Sequence, residues 1–141
     1  MSATPDIATL EAGTEIPGRE FRPDTVQLFF YNAALWNADR IHFDHPHTTA
    51  VEGYPALVVP GPLLGDWLTQ CVLEWLGDAG GLASFEYSNR RACYLGDVLH
   101  SRGRVVSVDR DRREAVIGLE IVNQAGEVTT PGTAVARFSR G

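Results

Sequence analysis

Three of the four histidines in this 141-residue chain fall within Trp36–His47, WNADRIHFDHPH, together with Asp39 and Asp44. Two chemistries suit such a cluster: metal binding and proton transfer. For metal, residues 42–47 read HxDHxH, which is not the HxHxDH order of metallo-hydrolases. The remaining histidine, His100, stands alone in a strand-like segment, so no second ligand group completes a tetrahedral site with an open position. No metal is expected. For proton transfer, His42 is the candidate. It lies between Ile41 and Phe43, just after an apolar helix, and its ring is expected to be partly buried. A buried imidazole needs hydrogen-bond partners, and a group titrating near neutrality is the commonest general acid-base. His45 and His47 flank Pro46 in a turn-like context and are expected at the surface.

The elements that must position His42 can be read from spacing. Residues 1–13 (MSATPDIATLEAG) are small and mixed and read as a loosely held arm, which leaves 14–141 as the folded domain. A short extended segment is expected around Arg19–Arg22. A helix then starts at Asp24, which can cap it, with Gln27 three residues on. Its apolar residues Val26, Phe29, Phe30, Ala33 and Ala34 fall on one side. Residues 51–62 form a loop with a short apolar run broken by Pro55 and Pro60. The strongest helix lies in 62–81, with Pro62 at its first position and the Gly77, Gly80 and Gly81 cluster stopping it. Its leucines and tryptophans cover more than one face, which predicts burial nearly all round. Beyond it, 82–94, 97–110, 114–124 and 127–139 read as strands with turns between them. A buried helix followed by meander strands predicts an α+β fold with an antiparallel sheet wrapped on the helix.

Composition sets the outer bounds. At 141 residues the chain is one domain, able to bury roughly two-thirds of its unfolded surface. A net charge of −6, with acids interleaved among the late arginines, argues against a nucleic-acid partner. Cys71 and Cys93 share no close spacing and read as free thiols in a reducing compartment. No basic, apolar leader opens the chain, and no apolar run reaches the ~20 residues of a membrane helix. A cytoplasmic protein is the expectation.

The stretches 31-YNAALWNADRIHFD-44 and 53-GYPALVVPGPLL-64 resemble the MaoC-like branch of the hot-dog fold, whose members include (R)-specific enoyl-CoA hydratases and 3-hydroxyacyl-thioester dehydratases. The family signature reads D-x-N-P-x-H, followed by a glycine-containing loop that opens the central helix. Residues 40–44, RIHFD, are most similar to the subgroup reading N-x-H-R-I-H-Y-D. The similarity runs over nearly the whole chain and includes 86-EYSNRRACYLGDVL-99. It implies a single hot-dog domain acting as a hydro-lyase on thioesters of coenzyme A or acyl carrier protein, without a cofactor. It also implies pairing with itself or with a second hot-dog chain.

Carried across by position, the resemblance places His42 on the catalytic histidine and Gly61 on the glycine whose N–H polarises the thioester carbonyl. Asn37 falls where the family has a catalytic aspartate, and Asp39 where it has asparagine. Pro60 replaces a histidine found in many members. In dehydration His42 would remove the C2 proton and return it to the leaving hydroxyl, and Asn37 would orient that hydroxyl or a water. Asp39 or Asp44 would hold the imidazole, with Asp39 favoured because it lies three residues away. Arg40, Tyr54, Trp36 and Pro60 are the candidate substrate-binding residues. Two rivals remain at this level. Asp39 could activate water in a thioesterase, and a chain with Asn37 and Pro60 could be a non-catalytic thioester-binding partner.

Overall fold

The computed structural model describes residues 3–140. Two short strands open the chain, β1 (Glu15–Ile16) and β2 (Glu20–Phe21), followed by helix α1 (Thr25–Ala34). The central helix α2 spans Gly61–Leu76 and runs into a 3-10 turn at Gly77–Ala79. Four long strands complete the fold: β3 (Gly80–Tyr87), β4 (Leu99–Asp109), β5 (Glu114–Val122) and β6 (Val128–Phe138). All pairings are antiparallel. The order is β1-β4-β5-β6-β3, with β2 also on β4. The sheet wraps α2, as the α+β expectation and the hot-dog resemblance both required.

The pattern of burial explains the wrap. In β5, Ala115, Ile117, Leu119 and Ile121 are buried, every second residue, as a one-sided sheet demands. From α2, Leu64, Leu68, Val72 and Leu76 meet them in one core. Phe21 stacks on Trp67 with ring centroids 4.1 Å apart, and Trp75 meets Phe138 edge-on at 6.1 Å. Burial of α2 is less complete than expected, because Asp66, Leu73 and Glu74 face outward. Gly65 is one reason the sheet can close on the helix: a Cβ there would overlap the Tyr87 ring. Both cysteines are free and buried, and burial pushes their thiols up.

Two expectations need correction. The segment read as a loose arm is held at two points, although Ala3, Thr4, Asp6, Ala8, Thr9 and residues 11–13 are exposed. Ile7 and Leu10 are buried in the core, and Arg110 donates to the carbonyls of Ala8 and Leu10. Two spaced apolar residues suffice to hold it, although the surrounding small polar residues mask them in sequence. Residues 1–2 lie outside the described range. In α1 the capping by Asp24 holds, its carboxylate accepting from the Gln27 N–H at 2.8 Å. The apolar side, however, faces outward: Phe29 and Phe30 are exposed, and Leu28 and Asn32 are the residues turned to the interior. No described helix is long and apolar enough to cross a membrane.

Candidate active site

The chain leaves α1 through Trp36, whose φ of 54° is a left-handed conformation rarely taken by a bulky residue. Asn37 follows, with its backbone N–H bonded to the Asn32 carbonyl at 2.9 Å. Its side-chain oxygen accepts from the Asp39 N–H at 3.1 Å, which leaves the amide NH2 as the group free to donate. Asp39 then caps a 3-10 turn, Arg40–His42, by accepting from the Ile41 N–H at 3.3 Å.

His42 ends that turn and is buried, at 8% exposure. Its Nδ1 lies 2.7 Å from the Val58 carbonyl oxygen. A carbonyl only accepts, so Nδ1 carries the proton and donates. The ring's other nitrogen, Nε2, makes no hydrogen bond within the described chain and, in the neutral ring, carries the lone pair. The same Val58 donates its N–H to the Ile41 carbonyl at 2.9 Å, so the turn and the extended strap of residues 57–59 grip each other. The strap is anchored on its far side: the Val59 N–H bonds Cys93 O, and the Leu95 N–H bonds Leu57 O. Three residues beyond Val58, α2 begins at Gly61, whose N–H has no acceptor within the described chain and sits at the positive end of the helix dipole. Pro62 has no N–H, and the Leu63 N–H bonds the Pro60 carbonyl.

This arrangement differs from the sequence reading in what holds the imidazole. The Val58 carbonyl does so, not Asp39 or Asp44. Asp39 is exposed and spent on its cap, and Asp44 accepts from the Arg40 guanidinium at 2.8 Å and from the His47 N–H at 3.1 Å. Those bonds, the His47 N–H first, hold the Asp44 carboxyl below its usual range. The stabilisation is therefore present above the ordinary carboxylate range and is lost as pH falls through the lowered value. Thermal melts of Asp44→Asn should lie below those of the wild type near about pH 7, with the gap closing toward about pH 3.

The remaining predicted residues divide. Arg40 is exposed and paired with Asp44. Tyr54 is half-buried beside the Tyr94 ring, with centroids 6.3 Å apart, in a loop-packing position. Pro60 is buried and brings no donor, and its carbonyl accepts from the Leu63 N–H as the helix begins. Trp36 is 94% exposed. His45 is exposed as expected, but His47 is half-buried, starts a short π-helical turn (His47–Val51) and lies 3.3 Å from the Glu52 carboxylate. Trp36, Asn37 and Phe43 meet with residues of α1 around a pocket of about 400 Å³.

One residue escaped the sequence reading. The Asn89 amide nitrogen occupies the space that a Cβ on residue 61 would take, and its oxygen accepts from the Thr130 hydroxyl at 3.3 Å. The missing Cβ at 61 thus admits the tip of the Asn89 side chain against the start of α2. The signal was missed because Asn89 lies 28 residues further along the chain. Gly61→Ala should displace the Asn89 tip cheaply, leaving the melting temperature within a few degrees. Turnover should drop by about 10-fold or more, because the donors beside the helix start are moved. Paired melting and rate measurements on the variant check this.

Solved structures give the same fold. An (R)-hydratase from A. caviae involved in PHA biosynthesis superposes with a TM-score of 0.84 at 18% identity, covering 93% of this chain and 98% of that one. A MaoC-like dehydratase also reaches 0.84, at 19% identity, over 96% of this chain but 43% of its own length. By sequence, the chain is 52% identical over 73 residues to mesaconyl-C(4)-CoA hydratase of Chloroflexus aurantiacus, covering 42% of this chain and 26% of that protein. It is 46% identical over 44 residues to the mitochondrial hydroxyacyl-thioester dehydratase type 2 of Schizosaccharomyces pombe, covering 31% and 15%. The chain thus spans about a quarter or less of the length of these curated relatives. Residues 4–95, which carry the turn, the strap and α2, match the family model described as hydroxyacyl-thioester dehydratase type 2, and the chain belongs to that family.

Proposed function

We propose that the chain interconverts 3-hydroxyacyl and trans-2-enoyl thioesters of coenzyme A or acyl carrier protein. The observation that carries this reading is the buried His42 with Nδ1 donating to Val58 O, which leaves Nε2 as the proton acceptor. In dehydration, Nε2 takes the C2 proton and electron density moves onto the thioester oxygen, where the Gly61 N–H and the positive end of α2 stabilise it. The enolate expels the C3 hydroxyl, to which His42 returns the proton, and water leaves. Hydration runs the same steps backwards. Asn37 donates through its amide NH2 to the hydroxyl or water. An amide cannot accept the proton as a carboxylate would, so His42 performs both transfers in this site. Fixed donors and a fixed base need no reorganisation during the reaction, which supports catalysis without a cofactor.

The relatives' names support this reading, as does the family to which the chain belongs. A second hot-dog unit is the expected partner. β3 ends the sheet order and leaves one backbone edge open, and solved neighbours include the ChsH1–ChsH2 and HadBC complexes. Adding the purified protein to crotonyl-CoA should bleach the enoyl absorbance as 3-hydroxybutyryl-CoA forms. Tight thioester binding with no bleaching at any enoyl chain length would instead identify a non-catalytic binding subunit.

A further inference from the structure

Asn89 lies in the connection that leaves β3, and the backbone on both sides of it is pinned to β6. The Ser88 N–H bonds Pro131 O at 3.0 Å, and the Arg90 N–H bonds Thr129 O at 2.9 Å. The side chain is held as well. Thr130, a fully buried residue, donates its hydroxyl to Asn89 Oδ1 at 3.3 Å, and the buried Thr129 hydroxyl lies 3.4 Å from that of Thr130.

With its oxygen fixed there, the amide turns its nitrogen to the start of α2. A Cβ on Gly61 would lie 2.2 Å from Asn89 Nδ2 but 3.7 Å from Oδ1. This is the reverse of a helix cap. A capping side chain offers an oxygen to the first N–H groups, and α2 has no such bond. Here a donor approaches the donor end of a helix, where the dipole is already positive. That arrangement is unfavourable alone and becomes favourable when a negative oxygen sits between the donors.

Both donors are available to a ligand. Among the described residues neither the Gly61 N–H nor the Asn89 NH2 has an acceptor, and the Asn89 side chain is exposed. A Cβ sits about 2.5 Å from its own backbone nitrogen, so the two donor nitrogens are no more than about 5 Å apart. At that separation both reach a single oxygen at about 2.9 Å.

We infer that Asn89 is a catalytic residue, its amide giving the thioester oxygen a second hydrogen bond beside that of Gly61, and that Thr130 is its positioning residue. The inference rests on the proposed hydratase reaction, in which negative charge develops on that oxygen as the C2 proton leaves. The charge grows only as the reaction proceeds, so the second bond favours the transition state over the bound substrate.

Steady-state hydration of crotonyl-CoA, with melting curves on each variant, tests the assignment. Asn89→Ala should lower kcat by about 10²-fold or more, with KM within about threefold of the wild type. Asn89→Asp keeps the shape, replaces the donor by a carboxylate and suits the positive helix end. It should melt no lower than the wild type and be at least as slow as Asn89→Ala. Thr130→Val should lower kcat by about tenfold, and Thr130→Ser, which restores the hydroxyl, should bring it back to within about threefold of the wild type. A kcat for folded Asn89→Asp within about threefold of the wild type overturns the inference, as does a loss confined to KM. Thr130→Ser as slow as Thr130→Val overturns the positioning role. A wild type that hydrates no enoyl thioester sinks the hydratase reading and this inference with it, whereas an active wild type with equally active Asn89 variants sinks the inference alone.

Discussion

His42→Ala should lower turnover by about 10²–10⁴-fold while the protein still folds. The loss is large because, in the proposed reaction, one nitrogen removes the C2 proton and returns it to the hydroxyl, and no other group in the site can substitute. Asn37 is an amide, Asp39 is spent on its turn, and Asp44 is bound by Arg40 and His47. The structural cost is smaller. Removing the ring leaves the Val58 carbonyl without its 2.7 Å partner, a loss of about 1–3 kcal/mol for a buried group. Melting curves should therefore shift by some degrees, not collapse. An unchanged rate in the folded variant would show that His42 is not the base.

Leu68→Ala should cost about 2–5 kcal/mol of stability. Leu68 is fully buried midway along α2, and its side chain packs against β6 where Gly132 lacks a Cβ. The wrapped sheet cannot collapse onto a shortened residue there, because α2 is already in contact with strands on several sides. Urea unfolding should give a lower midpoint with an unchanged slope. A loss under about 1 kcal/mol would mean that α2 is not the centre of the core.

Some of this was readable from residue types alone. Pro62 marked the start of α2 to within one residue, and the glycine cluster at 77–81 marked where it stops, because their backbone limits are local. The alternation of β5 was equally plain, and the position of His42 between Ile41 and Phe43 foretold its burial. The partner of His42 was not readable. Val58 lies 16 residues away and acts through its backbone carbonyl, which every residue possesses. The nearby carboxylates Asp39 and Asp44 therefore drew the assignment, although local turns consume both. Val26, Phe29, Phe30, Ala33 and Ala34 do share one side of α1, but that side is exposed, and Phe29 and Ala33 border the pocket beside the site. Asn89 was invisible because its role depends on an absent side chain at Gly61.

The central claim is that Nε2 of His42 carries a proton to and from C2 of the thioester. Crotonyl-CoA incubated with the protein in D2O, with the products read by mass spectrometry, tests it most directly. The account predicts 3-hydroxybutyryl-CoA carrying deuterium at C2 from the wild type, and unreacted crotonyl-CoA from His42→Ala. Hydrated, C2-deuterated product from both proteins at similar rates would contradict it.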